Sequence, residues 1–317
     1  MSRRTMPSRR SVRRSSRQRL THFLRACVHS ERGRGGSGSG PFPYVASIRR
    51  RQEAPLTLVV FVGSLLVVAF WEFCRPRATR KYPALRRRLG NLGIWLLGML
   101  LAVFIFSPPQ AFRLELRSTF GVVLPSWPIA DRSLSLVAGF LLLDLLQYAI
   151  HRCQHGVPLL WRFHALHHSD PDVDVTTSVR HHPIEYLIAT AVYWLVVLVL
   201  GIPAVVVLSH GLAVFAAAAV THGNISLPEG MERLLRPMVI TLDLHLVHHS
   251  IEFSRENWNY GAVLSIWDRL FGTYTEISRA QRERLIFGVR ELPARECLQP
   301  GAMLLTPWRI CRAVATE

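Results

Sequence analysis

Five histidines crowd the end of an apolar run in the stretch Asp144–Ser169, DLLQYAIHRCQHGVPLLWRFHALHHS. His151 and His155 are spaced i, i+4, and His164, His167 and His168 are spaced i, i+3, i+4, so on helices each set projects from one face. The second pattern returns as His245, His248 and His249 in DLHLVHHS. One HxxxH pair is weak; three sets at one-face spacing point to metal coordination. A zinc site takes about three or four protein ligands, so eight imidazoles are about twice what one ion needs, and two ions are implied. Imidazole suits iron, zinc, copper and nickel alike, which leaves the metal open.

Neutral imidazoles leave the ions' charge uncompensated, so nearby carboxylates become candidates for orienting the ligands. Asp144 is one, because a carboxylate inside an apolar span costs about 2.5–3.5 kcal/mol on insertion scales. It precedes His151 by two turns, about 10 Å along the axis, so its partner is expected from another segment. Glu185, Asp243 and Asp268 are alternatives, Asp268 also reading as a solvated surface residue.

The elements that must position these side chains read as membrane helices. Apolar runs cover Leu56–Phe73, Asn91–Phe106, Leu134–Ile150 and Tyr186–Val220, the last divided at Gly201-Ile202-Pro203. The expectation is an all-α integral membrane protein with about four to five transmembrane or re-entrant helices and a cytosolic helical cap. Residues 107–132, with Trp127 between Pro125 and Pro128, read as an interfacial loop with an aromatic anchor. Asn257–Tyr274 reads as part of the cap, with Trp258, Tyr260, Trp267 and Phe271 as packing aromatics.

Counting spans puts His151 to His182, His222 and His245 to His249 on one side. The Arg75–Arg88 loop, with seven basic residues and no acid, falls on that side and assigns it to the cytoplasm. The same count leaves the Arg-rich N-terminus outside, a conflict that is removed if residues 1–50 are not a natural extension or if the first run is not a full span.

Of the 317 residues, half are hydrophobic, yet there are 38 Lys+Arg and a net charge of +17. Charge and apolar surface are therefore segregated. Residues 1–50 are Arg/Ser/Gly-rich and read as a disordered extension, a solvated one rather than a nucleic-acid tail. Residues 51–275 read as the membrane-embedded domain and 276–317 as a cytosolic tail. The five cysteines form no CxxC, which excludes a Cys-based zinc or redox motif and gives no disulfide framework. No flavin, nicotinamide or haem-binding pattern is present, so redox chemistry would need electrons from a separate protein.

These residues resemble the sterol desaturase and fatty acid hydroxylase superfamily of membrane di-iron oxygenases, bacterial branch. The resemblance rests on Asp144, His151-Arg-Cys-Gln-His155, Leu160 to Ser169, Arg180-His181-His182-Pro183-Ile184-Glu185, His222-Gly223-Asn224 and Asp243-Leu-His245-Leu-Val-His248-His249. Asn259-Tyr260-Gly261 and Trp267 to Thr273 extend it. It implies metal ligands His151, His155, His164, His167, His168, His245, His248 and His249, with His222 as a ninth. His182 could be a ligand or a neighbour of the ligands. Asp144, Arg180, Glu185, Asn224 and Asp243 are implied around the ligands, while His181 and His210 match no motif. Gly223 departs from the serine often found there.

The resemblance further implies two irons using O2 to oxidise an unactivated C–H bond of a membrane lipid: sterol, hopanoid, carotenoid, acyl or ether lipid. The outcome is hydroxylation or desaturation. Electrons would come from a ferredoxin or cytochrome b5-like protein with its reductase, and zinc could replace iron in purified material. The implied location is the bacterial cytoplasmic membrane with the metals facing the cytoplasm. Two other classes keep the histidines but change the chemistry: a zinc transporter and a membrane zinc hydrolase.

Overall fold

Helix α1 (Pro43–Cys74) opens the computed structural model, which describes residues 43–106, 109–252, 258–294 and 298–314. It starts within the extension expected to be disordered, whose residues 1–42 lie outside the described ones. It is followed by α2 (Ala84–Ile105), α3 (Pro109–Phe120), α4 (Arg132–Gly156), α5 (Pro158–His168), a 3₁₀ turn (Val175–Val179), α6 (Pro183–Leu200) and α7 (Ala204–His222). Shorter helices follow: α8 (Glu229–Leu235), α9 (Leu242–His249), α10 (Ile266–Leu270), α11 (Arg279–Arg282), α12 (Pro300–Leu304) and α13 (Thr306–Val314). Among the described residues there are no strands, only the isolated bridges Val239–Leu264 and Ser250–Phe287.

Four helices, α2, α4, α6 and α7, are long and apolar enough to cross a membrane, and Val59–Cys74 of α1 is a shorter apolar segment. That agrees with the expected count. Residues 107–132 differ from expectation, because α3 occupies part of the supposed loop. Trp127 is half-buried against the α4–α6–α7 core of Leu143, Val197, Ile202 and Val206.

Close packing, rather than water exclusion, holds spans together where lipid is as apolar as leucine. Gly139 of α4 shows this: a Cβ there would lie 2.6 Å from Val206 Cγ1 of α7. Gly201, at φ 66°, makes the α6–α7 turn, and a side chain at that position would strike the Pro125 carbonyl at 2.7 Å.

The Arg75–Arg88 loop is less free than its composition implied. Arg87 is fully buried, bonding Asp170 at 2.7 Å and also Asp174, and Arg88 reaches Asp174 and Glu72, each at 2.8 Å. Arg80 pairs with Glu72 at 3.2 Å. These cations hold α1 and α2 to the 3₁₀ turn, so only part of the loop's charge is available to set topology.

Candidate metal centre

The histidine ends of α4, α5, α7 and α9 meet at one end of the bundle. Helix α5 starts at Pro158, a residue suited to a helix's first turn, directly after α4 ends. The chain therefore folds back and brings His164 and His168 against His155, with ring centroids 4.8 and 4.7 Å away.

Two groups result. His151, His155, His164, His168 and His248 form the first, and His167, His222, His245 and His249 the second; within each, one nitrogen per residue lies within 4.8 Å of all the others. The groups adjoin, since His168 of the first stacks on His249 of the second at 4.4 Å. The second group is wholly buried, whereas His151 and His155 of the first are half-buried.

Outer hydrogen bonds fix several tautomers. The Nδ1 atoms of His151, His248 and His222 face the carbonyls of Tyr260, Trp258 and Ala218 at 2.8, 2.7 and 2.8 Å, and that of His164 faces Glu185 Oε1 at 2.7 Å. A carbonyl or carboxylate only accepts, so each Nδ1 carries the proton and each Nε2 presents a lone pair inward. His222 Nε2 lies 3.2 Å from His167 Nε2 and 3.0 Å from His245 Nε2. Donors at about 2.1 Å from a shared ion stand roughly 3 Å apart, so this spacing fits a ligand cage. In the first group, the buried Nε2 atoms of His155 and His248 have no hydrogen-bond partner, as expected of nitrogens awaiting a cation.

Burial and mutual repulsion lower the proton affinity of His167, His168, His245 and His249 well below the usual histidine range. His248 is pushed down to about 3, mainly by burial, with the Trp258 carbonyl acting against the shift. Neutral imidazoles are the form that binds metals.

Of the residues expected around the ligands, Glu185 alone touches them. Its carboxylate accepts from His164 and from His181 Nδ1 at 3.0 Å, and from Gln154 at 3.2 Å. His181, set aside on sequence, stacks on His167 at 4.5 Å, so it borders the second group. Burial lowers its basicity, but the Glu185 carboxylate outweighs that and raises it overall.

The other expectations move outward. His182 caps α6, its Nδ1 accepting from Ile184 N–H at 3.2 Å and its Nε2 donating to the Leu304 carbonyl at 3.3 Å, so neither nitrogen is left for a metal. Arg180 clamps the end of α5 to α2 through the Leu166 carbonyl, Ser169 Oγ and Asn91 Oδ1 at 2.9, 2.9 and 2.7 Å. Asn224 ties α7's end to Ala78, and Asp243 pairs with Arg282.

Asp144 does find its partner on another segment, but that partner is backbone and indole rather than a ligand histidine. It accepts from Val263 N–H, Leu264 N–H and Trp267 Nε1 at 3.2, 3.1 and 2.9 Å. The loop so anchored supplies the Trp258 and Tyr260 carbonyls that orient His248 and His151. Asp268, for which a solvated position was considered, is fully buried and accepts from Tyr260 and Gly261 N–H at 2.7 and 2.9 Å. Gly261 is obligatory there, because a Cβ would lie 2.5 Å from the Leu264 carbonyl.

Sequence reasoning missed these carbonyls, since backbone acceptors carry no residue signature; the Asn259-Tyr260-Gly261 turn was the available signal. Asn259 sits at φ 57° and donates to the Leu244 and Thr275 carbonyls. Gly223 also has a local reason: Val68 Cγ1 would be 2.8 Å from a Cβ.

The fatty acid hydroxylase family model matches residues 136–273, a range that encloses both histidine groups. Residues 136–273 form a fatty acid hydroxylase domain. The match encloses the histidine motifs on which the resemblance to the sterol desaturase and fatty acid hydroxylase superfamily rests. The ornithine lipid hydroxylase OlsE of Rhizobium tropici is 36% identical over 148 residues, 47% of this chain and 43% of that protein. Human alkylglycerol monooxygenase is 30% identical over 152 residues, 48% of this chain and 32% of its own length. The fatty acid hydroxylase vlmA of Lecanicillium sp is 26% identical over 158 residues, 42% of this chain and 40% of that protein. The chain thus spans less than half the length of these relatives. No solved structure shows a significant match.

Proposed function

We propose that the hydroxylase domain binds two irons and uses O2 to hydroxylate a C–H position of a membrane lipid. The observation that carries this reading is the division of nine histidines into two adjoining groups at the polar end of apolar helices. His151, His155, His164, His168 and His248 would hold one ion, and His167, His222, His245 and His249 the other. Two irons so held would activate O2 for abstraction of hydrogen from the substrate carbon.

The chain's own residues then do the positioning. Glu185 and the carbonyls of Tyr260, Trp258 and Ala218 keep the inward nitrogens unprotonated and the rings aimed. Full burial of the second group excludes water from that side, whereas the half-buried His151 and His155 leave the first group as the approachable one. Substrate would arrive from the bilayer, and electrons from a separate donor protein at the cytoplasmic face.

Expression in a host lacking the gene, followed by lipid mass spectrometry, tests the reaction. The expected result is lipids heavier by one oxygen, formed with air and absent under anoxia or in a His164→Ala variant. Lipid heavier by one oxygen formed equally without O2 would refute the oxygenase, and a cleaved lipid formed without O2 in its place would favour hydrolysis. Two irons per chain are expected in protein from iron-replete cells.

A further inference from the structure

Asp144 has a further neighbour that belongs to no motif. Its Oδ1 accepts from Val263 N–H and its Oδ2 from Leu264 N–H and Trp267 Nε1, which fills three of the roughly four lone-pair positions of an ionised carboxylate. The remaining position faces His210 of α7, whose Nε2 lies 3.7 Å from Oδ1. Both side chains are buried, so water does not screen them from each other. The three hydrogen-bond donors are neutral, and a buried carboxylate held by neutral groups alone keeps much of its desolvation cost. His210 is the basic group set against it.

The surroundings of His210 decide which nitrogen carries its proton. Tyr193 of α6 puts its hydroxyl 3.2 Å from Nδ1 and stacks its ring on the imidazole, and Phe140 of α4 meets the imidazole edge to face at 5.3 Å. Nε2 has no hydrogen-bond partner. A lone pair on Nε2 would repel the Asp144 carboxylate, whereas an N–H there is attracted, so the proton sits on Nε2 and Nδ1 accepts from Tyr193. At 3.7 Å the contact with Asp144 is electrostatic, too long for a hydrogen bond. Phenol, imidazole and carboxylate thus form a chain of contacts from α6 through α7 to α4, and it ends on the 263–267 loop.

We infer that His210 is a positioning residue of the first histidine group, acting through Asp144. Asp144 fixes the loop at Val263, Leu264 and Trp267, and the residues just before it hold the Tyr260 and Trp258 carbonyls against Nδ1 of His151 and His248. His210 lies about 18 Å along α7 from His222, too far to reach an ion held there, so its influence runs through the loop. The effect on metal rests on the reading of the first group as a metal site; the linkage of His210 to the loop does not.

The test is a double-mutant cycle on the full chain in lipid nanodiscs, read by hydrogen exchange and by metal retention. His210→Phe, or His210→Leu should the first fail to fold, should speed exchange of the Val263 and Leu264 amides about tenfold. The Lys81 and Tyr82 amides, which bond Asp172, should be unchanged. His210→Gln, whose amide nitrogen falls near the place of Nε2, should restore slow exchange; His210→Asn, which keeps a partner for Tyr193 but does not reach Asp144, should not. In an Asp144→Asn background, His210→Phe should add no more than about twofold. Wild-type exchange in His210→Phe and His210→Leu, or an equal effect with and without the carboxylate, overturns the inference. So does a coupled loop with no fall, of about tenfold, in metal affinity against a competing chelator. Wild-type protein that binds no metal while the coupling persists removes the metal reading and leaves the linkage of His210, Asp144 and the loop standing.

Discussion

Replacing Glu185 with glutamine isolates the one carboxylate that touches the candidate ligands. The side chain keeps its shape and can still accept from His164 Nδ1 and His181 Nδ1, now 2.7 and 3.0 Å from Oε1, but it loses its charge. Hydrogen bonds to charged groups are worth about 1.5–3 kcal/mol and are roughly twice as strong as neutral ones. Weakening both by half removes about 1.5–3 kcal/mol of orientation, or roughly ten- to a hundredfold in affinity, the range seen when outer partners of metal ligands are lost. Purified Glu185→Gln protein, titrated with a competing chelator and followed by metal analysis, should release its metal at ten- to a hundredfold lower chelator activity. Glu72→Gln is the matched control, since buried Glu72 bonds the Val175 and Asn224 N–H groups and no histidine, so its metal affinity should be unchanged. Wild-type metal affinity in a folded Glu185→Gln protein would refute the assignment of Glu185 as the residue that aims His164.

Other outcomes follow from the same geometry. His182→Gln should retain the full metal content, measured by the same metal analysis, because both ring nitrogens are engaged by Ile184 and Leu304. Asp144→Ala removes three hydrogen bonds to one buried carboxylate and should lower stability by about 3 kcal/mol or more, with faster proteolysis between residues 258 and 273. Acidification should destabilise the chelator-treated protein. The native value of His248, about 3, lies below the unfolded value of about 6.5, so between those limits the unfolded chain binds the proton that the native site refuses. Stability is thus constant above pH 6.5 and falls below it, by on the order of 1 kcal/mol from His248 alone at pH 5.5, measurable as a lower melting temperature.

Much of the site was legible because helix geometry is local. Spacings of three and four residues place His151 with His155, and His245 with His249, whatever the tertiary fold. The apolar runs were legible for the same reason, since span length is a property of contiguous sequence. What could not be read is what depends on distant segments. The division into two groups arises because α5 and α9 each face both ways, sending His164 and His168 to one group and His167 to the other. Asn224 lies beside the candidate ligand His222 in sequence and Arg180 beside His181 and His182, yet their side chains turn to the α1–α2 loop and to α2. Arg87 counts among the basic residues of the Arg75–Arg88 loop with no partner in view, because the acids that bury it lie 83 and 87 residues away.

The anchoring of the 263–267 loop by Asp144 has a consequence for biogenesis. Chain synthesis delivers Asp144 to the membrane 119 to 123 residues before Val263, Leu264 and Trp267 exist. During that interval the carboxylate has no protein donor from this loop, and α4 must insert on its own hydrophobicity. Ten Leu, Ile, Val and Phe residues between Leu134 and Ile150, at about 0.3–0.6 kcal/mol each, offset the cost of roughly 2.5–3.5 kcal/mol for the acid. The helix is therefore greasy enough to enter the bilayer with an unpaired charge, and the late-made loop then claims that charge as its anchor.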